Sequence, residues 1–152
     1  MTGLPGRRAF HDLYFRLAAG ARRRDNSVIL ILMDVQNLRS INTEFGYAIG
    51  DDVLKTMAES LMESSRATDL VARYGSDDFA ILLIDAEPSA LDMIVERVNE
   101  KLGQLVTRRS LPVAVHYDIG MAVADEAPES VEVLLRAADR EIQKMKKSKT
   151  AG

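Results

Sequence analysis

A short polar turn between two strongly apolar runs is the feature that most limits how this chain can fold. The runs are residues 70–72 and 79–84, and the turn between them carries the adjacent carboxylates Asp77 and Asp78. Two apolar runs separated by so short a turn predict a β-hairpin. The hairpin would hold both carboxylates at its tip, close to the bare backbone of Gly75.

A third apolar run is followed directly by another carboxylate. Residues 28–33 form an unbroken apolar stretch, typical of a buried strand, and Asp34 follows directly. If this strand lies beside the hairpin, Asp34 and Asp77 converge. Converging carboxylate oxygens bind hard divalent cations, and Mg²⁺ bound in this way usually also holds substrate phosphates. The residues alone leave two interpretations open: a metal–nucleotide site, or an exposed acidic turn after a core strand, since Asp is common in turns.

Helical periodicity accounts for most of the remaining chain. Ser89 to Asp92 fits a capping box at the start of one helix, and Ser130 caps the last. A late strand contains an interruption at Gly120. The helices are predicted over about residues 5–24, 37–46, 49–66, 89–105 and 130–145, and the late strand over 111–123.

This order of elements predicts an α+β fold. Helix, strand, helix, strand, strand, helix, strand and helix match a ferredoxin-like β-α-β-β-α-β core with extra helices and a central antiparallel sheet. The length of 152 residues suits one domain with ample core. In this topology the first strand neighbours the hairpin, so the convergence of Asp34 with Asp77 is expected.

The composition excludes several other kinds of site. The chain has no cysteine and only two histidines, His11 and His116, which excludes thiolate and histidine-rich metal centres. A net charge of −3 gives no basic field for nucleic acid, and aromatics at 5% are too few for a base-stacking sheet. No apolar run is long enough to span a bilayer and no signal peptide is visible, so a cytoplasmic location is expected, within a parent protein that could be membrane-tethered.

The chain resembles a known family, the GGDEF domains of bacterial cyclic di-GMP signalling. Five segments carry the resemblance, in order and at the family's spacing. They are residues 2–8 for the entry motif T-G-L-P-N-R-R, 34–54 for D-x-D-x-F-K-x-I-N-D-x-x-G-H-x-x-G-D-x-V-L, 73–79 for the signature R-Y-G-G-D-E-F, 118–120 for S-I-G, and 138–146 for A-D-x-x-x-Y-x-A-K. The resemblance implies a nucleotidyl cyclase or palm-like fold. We interpret residues 1–152 as a single domain of this type, excised from a larger multidomain signalling protein.

The resemblance implies condensation of two GTP into cyclic di-GMP across a two-fold homodimer, with two divalent ions, Mg²⁺ or Mn²⁺. Asp34, the backbone carbonyl of Val35 and Asp77 would bind the metals. Asp77 and Asp78 would be the catalytic residues, with Asp78 beside the metals and the attacking 3′-hydroxyl. Phosphoryl transfer needs mainly positioning and neutralisation of developing negative charge, which suits such a group.

The resemblance also implies how GTP would be held. Asn42 and Asp51 match the family's guanine-reading pair, and an amide with a carboxylate suits a base edge that offers O6 and N–H groups. Lys146 matches the phosphate-binding lysine. The remaining substrate contacts would be backbone amides near Asn37 and Leu38 at a helix start, and Arg39, which keeps the charge of a family lysine.

A second nucleotide site is predicted at the other side of the signature. Arg66 and Asp69 match the family's product-binding motif R-x-x-D, and Arg97 falls where an additional arginine is expected on the next helix. Two arginines and a carboxylate suit a guanine base with phosphates. A solvated ion pair at a helix end would leave the same motif, but the register with the signature and Arg97 favours a product and inhibitory site.

Several positions depart from the family pattern, mostly at the catalytic end. Ser76 replaces the second signature glycine, Asp78 is one methylene shorter than the usual glutamate, and Gln36 replaces the second Asp of D-x-D. Thr150 stands where an arginine is expected after Lys146. A carboxylate set back by about an ångström can cost on the order of a hundredfold in rate.

These departures predict a domain of cyclic di-GMP signalling that binds GTP, cyclic di-GMP or both, with weak or lost condensation. The alternative is an active diguanylate cyclase with product inhibition through Arg66 and Asp69. An EAL-type phosphodiesterase domain or a sensory domain is the expected neighbour in the parent chain. Neither nucleic acid nor a membrane is expected to contact this domain.

Overall fold

The computed structural model describes residues 2–151, with the side chains of 149–151 outside that description. Thr150 therefore lies outside the described side chains. Within the described range the chain forms five helices and four strands. They are α1 (Arg7–Arg23), β1 (Val28–Val35), α2 (Leu38–Phe45), α3 (Tyr47–Ser64), β2 (Leu70–Arg73), β3 (Asp78–Ile84), α4 (Ala90–Arg108), β4 (Tyr117–Ala124) and α5 (Glu132–Ala151).

The strands form one antiparallel sheet in the order β2-β3-β1-β4. The predicted hairpin is β2 and β3, and β1 lies between β3 and β4. This is the strand order of a ferredoxin-like core, so the predicted α+β fold is confirmed. The register places Asp34 opposite Asp78 on one side and opposite Asp118 on the other.

The sheet separates two apolar cores. Successive side chains of a strand point to opposite faces. Ile31 and Met33 of β1 pack with α3 and α4 on one face, whereas Leu30 and Leu32 pack with α1 and α5 on the other. Because β1 is covered on both faces, it is a continuous apolar run with no polar alternation until Asp34.

Two local predictions are wrong. The strand predicted over 111–123 begins only at Tyr117, because β4 pairs with β1 alone and that pairing ends where Val35 meets Tyr117. The capping box at Ser89 is absent: this residue has φ −62° and ψ −18°, and its side chain makes no cap hydrogen bond. An N-cap residue needs extended backbone to direct its oxygen at the helix amides. Ser130, in contrast, accepts a hydrogen bond from the Glu132 amide as predicted.

Among the described helices, none combines the length and the hydropathy that crossing a membrane requires.

Candidate functional site

Hydrogen bonds within the turn and to β1 fix the tip of the hairpin. The Tyr74 amide donates to the Asp78 carbonyl at 3.0 Å, and the Arg73 guanidinium donates to the Ser76 carbonyl at 2.7 Å. The Val35 amide donates to the Asp77 carbonyl at 2.8 Å, which ties the tip to the end of β1. The tip is therefore held from inside the turn and from the neighbouring strand.

This arrangement brings Asp34, Asp77 and Lys146 together. Burial raises the pKa of the Asp77 carboxyl, and the adjacent Asp34 charge raises it further. The Lys146 ammonium donates to Asp34 Oδ2 at 3.0 Å. That hydrogen bond is the main cause of the raised pKa of Lys146. The Lys146 ammonium thus lies close to the carboxylates of Asp34 and Asp77, and this pair of negative charges would attract a further cation.

The three side chains open onto a cavity of about 520 Å³ at the end of β1. Its other walls come from residues 35–39 and Asp118, so the sequence-predicted Val35, Asn37, Leu38 and Arg39 all line it. Asn37 adopts a left-handed backbone, with φ 60°, immediately before α2. Asn tolerates this conformation better than most residues. The turn aims the start of α2, whose free amides favour anions, at the cavity.

The oxygen donors suit a hard cation that shares its ligands with a substrate. Among the described residues, no group of three or more His, Cys, Asp or Glu side chains is arranged to hold a metal ion. Asp34, Asp77 and the Val35 carbonyl would instead offer two carboxylates and one carbonyl. Mg²⁺ commonly binds through one or two carboxylates together with substrate phosphates and water, so this set fits that mode of binding.

Asp78 and the adjacent Asp77 line different cavities. Asp78 lines a second cavity of about 310 Å³, together with Arg7, Tyr74 and Arg136. Its Oδ1 is buried, and a Cβ on Gly75 would lie 2.2 Å from that oxygen. Burial raises the pKa of Asp78, and the charges of Asp77 and Asp34 raise it further. The carboxyl therefore packs under the bare glycine backbone while remaining within the field of the other two.

The predicted guanine-reading residues lie on the helix pair α2 and α3. Asn42 is half-buried and Asp51 is exposed. A Cβ on Gly50 would lie 1.7 Å from Asn42 Oδ1. The Asn42 amide thus packs directly on the residue that precedes Asp51, and only glycine leaves room for it.

The predicted product site is also brought together. The Arg66 amide donates to Asp69 Oδ2 at 2.8 Å, and its guanidinium donates to Oδ1 at 3.1 and 3.2 Å. The Asp69 side chain is 2% exposed, whereas that of Arg66 is 53% exposed. Both residues line a cavity of about 330 Å³ with Arg97 of α4. A structural ion pair at a helix end would have the same geometry. The contacts of Arg66 and Asp69 therefore agree both with a product site and with a structural pair.

The sequence analysis did not single out Asp118, which lines the cavity of about 520 Å³ at the end of β1. Asp118 is only 7% exposed, and its Oδ1 accepts a hydrogen bond from Gln36 Nε2 at 2.9 Å. Both positions depart from the family pattern, Asp118 at the serine of S-I-G and Gln36 at an aspartate. Only the β1–β4 register shows that the two departures meet.

Comparisons with known proteins show which family this chain is similar to. A family model described as "Diguanylate cyclase, GGDEF domain" matches residues 1–151. The chain is 25% identical over 148 residues to the probable diguanylate cyclase DgcC of Escherichia coli (strain K12), a match that covers 97% of this chain and 40% of DgcC. The chain therefore spans less than half the length of that relative.

Solved structures show the same fold. The diguanylate cyclase SiaD of Pseudomonas aeruginosa, solved in complex with its activator SiaC, matches with a TM-score of 0.86 and 26% identity, over 97% of this chain and 56% of SiaD. The GGDEF domain of DgcB from Caulobacter crescentus, solved in complex with c-di-GMP, matches with a TM-score of 0.84 and 23% identity, over 97% of this chain and 88% of that one. At that identity the second match supports the fold alone, which is the palm-like fold of GGDEF domains.

Proposed function

The chain belongs to the family of diguanylate cyclase GGDEF domains, and we propose that it binds GTP, cyclic di-GMP or both, and condenses GTP weakly or not at all. The observation that carries the proposal is the convergence of Asp34, Asp77 and Lys146 at one cavity. Crowded carboxylates beside a lysine and a helix start suit a triphosphate with a divalent cation.

Each wall of the cavity has a role in this proposal. Asp34, Asp77 and the Val35 carbonyl would hold Mg²⁺ or Mn²⁺, whose charge would neutralise the transferring phosphate. Lys146 and Arg39 would bind phosphate oxygens, and the amides near Asn37 and Leu38 would cradle the β- and γ-phosphates. The guanine would be read by Asn42 and Asp51.

The position of Asp78 supports weak or lost condensation. Its carboxyl packs against Gly75 and lines the second cavity, and Oδ1 is buried. To act on a 3′-hydroxyl it would have to leave that position, and its side chain is shorter than the usual glutamate. Ser76 adds a side chain to the turn where the family has a bare backbone. Small displacements of reacting groups reduce rates steeply.

A second candidate function rests on the cavity lined by Arg66, Asp69 and Arg97. In this alternative the domain is an active diguanylate cyclase that cyclic di-GMP inhibits at that cavity. Activity would require a homodimer, because each subunit would supply one GTP. The relative SiaD, solved in complex with its activator, supports a regulatory protein partner for this chain. A cytoplasmic domain joined to an EAL-type or sensory domain in a longer chain fits either candidate.

The test is to measure binding and turnover on the same sample. The protein is titrated with GTP and Mg²⁺ by calorimetry and then assayed for cyclic di-GMP under forced dimerisation. Binding with little or no product supports the proposal. Fast product formation, slowed by added cyclic di-GMP, would favour the second candidate. Asp34→Asn provides the matched control, because it should abolish metal-dependent binding of GTP.

A further inference from the structure

Asp118 is a buried charge whose presence the nucleotide contacts above do not require. It is 7% exposed and lies near the start of β4, directly opposite Asp34. Burying a carboxylate is costly unless hydrogen bonds and opposite charge compensate it. The groups that compensate Asp118 therefore indicate what it does.

Gln36 is the first of these groups. Its side-chain amide donates to Asp118 Oδ1 at 2.9 Å, and its backbone amide donates to the His116 carbonyl at 2.8 Å. Two hydrogen bonds from Gln36, the residue after β1, thus connect it to His116 and Asp118 around the start of β4. This connection lies directly before Asn37, the residue that aims α2 at the cavity.

Lys146 is the second group. Asp118 and Lys146 both line the cavity of about 520 Å³. The close approach of α5 to β4 makes this arrangement possible, since a Cβ on Gly120 would lie 2.0 Å from the Ala138 carbonyl oxygen. Lys146 follows Ala138 by eight residues, about 12 Å along the helix, which carries it to the strand ends that hold Asp34 and Asp118.

We propose that Asp118, braced by Gln36, is a positioning residue that keeps the Lys146 ammonium at the cavity. Asp34 alone cannot do so once it binds a cation, because the cation competes with Lys146 for the same oxygens. Asp118 lies on the far side of β1 from the hairpin and leaves Lys146 a second anionic neighbour. The inference rests on the proposed function only in taking a nucleotide phosphate as the group that Lys146 would bind.

Because Gln36 and Asp118 are joined by a hydrogen bond, the proposal can be tested by moving the carboxylate from position 118 to position 36. Gln36→Asp alone would place two carboxylates near each other with no donor between them, where they repel. Asp118→Ser alone would remove the charge that faces Lys146. The double variant Gln36→Asp/Asp118→Ser restores one carboxylate and one hydroxyl donor, the combination that the family pattern has at these positions.

The first experiment needs no nucleotide. The rate of amine acetylation at Lys146 is measured by mass spectrometry in the full chain, with exposed Lys147 as the internal reference. Asp118→Asn should raise the Lys146 rate at least about threefold, because the negative charge nearest the ammonium after Asp34 is lost. The control is Asp125→Asn, which removes an exposed carboxylate just after β4 and should leave the rate unchanged. Equal Lys146 rates in the two variants would overturn the proposal.

The second experiment measures affinity for GTP with Mg²⁺ by calorimetry. Asp118→Asn should weaken binding about tenfold, the loss expected for one charge-assisted contact. Each single exchange should also weaken binding, and the double exchange should recover it to within about threefold of the original chain. Strictly additive losses would overturn the pairing, and this comparison remains decisive if Asp118→Asn does not fold. If the original chain binds no GTP, the GTP-binding part of the proposed function fails, while the acetylation rates still decide the position of Lys146.

Discussion

At the scale of single residues, the crowded carboxylates have the clearest physical consequence. The pKa values of Asp77 and Asp78 are raised, first by burial and then by neighbouring carboxylate charge. A carboxyl with a raised pKa in the folded state holds its proton better there than in the unfolded chain. The ionised group therefore reduces stability above the folded pKa, and this loss disappears below the unfolded pKa.

We predict that Asp77→Asn stabilises the metal-free protein at neutral pH, by up to about 1 kcal/mol for a partly exposed charge. The gain should shrink as the pH falls through the raised pKa and vanish below the ordinary carboxyl range. Urea unfolding at neutral and acidic pH measures both limits. Asp125→Asn, which removes an exposed carboxylate just after β4, is the control. A loss of stability at neutral pH in Asp77→Asn would contradict the account.

Gly50 offers a way to separate binding from folding. A Cβ at this position would meet the Asn42 amide, which is the end of a movable side chain. Gly50→Ala should therefore displace Asn42 and weaken GTP binding about tenfold. Because alanine favours a helix over glycine, stability should remain equal or rise by up to about 1 kcal/mol. Calorimetry and urea unfolding measure the two effects. Gly103→Ala, in open space on α4, should stabilise without any change in affinity.

At the scale of elements, the periodic pattern predicted which segments form helices and strands, while tertiary contacts determined where they end. The strand β1 and the hairpin could be predicted because strands buried in a sheet require apolar residues, and both segments are rich in them. Residues 111–116 looked equally strand-like, but the pairing of β4 with β1 extends no further than Tyr117. Sequence spacing placed Asp34 and Asp77 together through the topology. It could not show the Gln36–Asp118 contact, which depends on register.

The packing of α5 on β4 gives an element-scale prediction. Gly120→Ala would force a Cβ against the Ala138 carbonyl oxygen, and backbone cannot move aside as a side chain can. We expect a loss of about 1–3 kcal/mol in the free energy of unfolding, together with faster acetylation of Lys146 as α5 shifts. Gly20→Ala, whose Cβ would meet only the end of Arg23 at 4.0 Å, is the control. Unchanged stability in Gly120→Ala would refute the close approach.

The loop before β2 and helix α4 together form the predicted product site. Arg66→Ala removes one wall of the cavity shared with Asp69 and Arg97. Affinity for cyclic di-GMP should fall at least about tenfold, whereas affinity for GTP with Mg²⁺ should not change. Arg108→Ala, an exposed arginine at the end of α4, should alter neither. Equal affinity for cyclic di-GMP in Arg66→Ala would mean that Arg66 and Asp69 are only a structural ion pair.

At the scale of the whole molecule, the two candidate sites lie at opposite ends of the hairpin. The Arg66 and Asp69 loop precedes β2, and the Asp77 turn follows it, so the four residues of β2 separate them by about 13 Å of strand. Separate cavities would allow cyclic di-GMP and GTP to bind without competing directly. In the proposal made above, the position of Asp78 determines whether the domain acts as an enzyme or as a sensor of these nucleotides.

The most direct measurement is a calorimetric titration of the protein with cyclic di-GMP and with GTP and Mg²⁺, followed by an assay of the GTP sample for product. We predict binding of at least one nucleotide, with product formation far below the about 1–10³ s⁻¹ typical of enzymes. Binding of neither nucleotide would contradict the account and leave a scaffold or dimerisation role. Turnover in the ordinary enzymatic range would contradict the weak or lost condensation and establish the active cyclase instead.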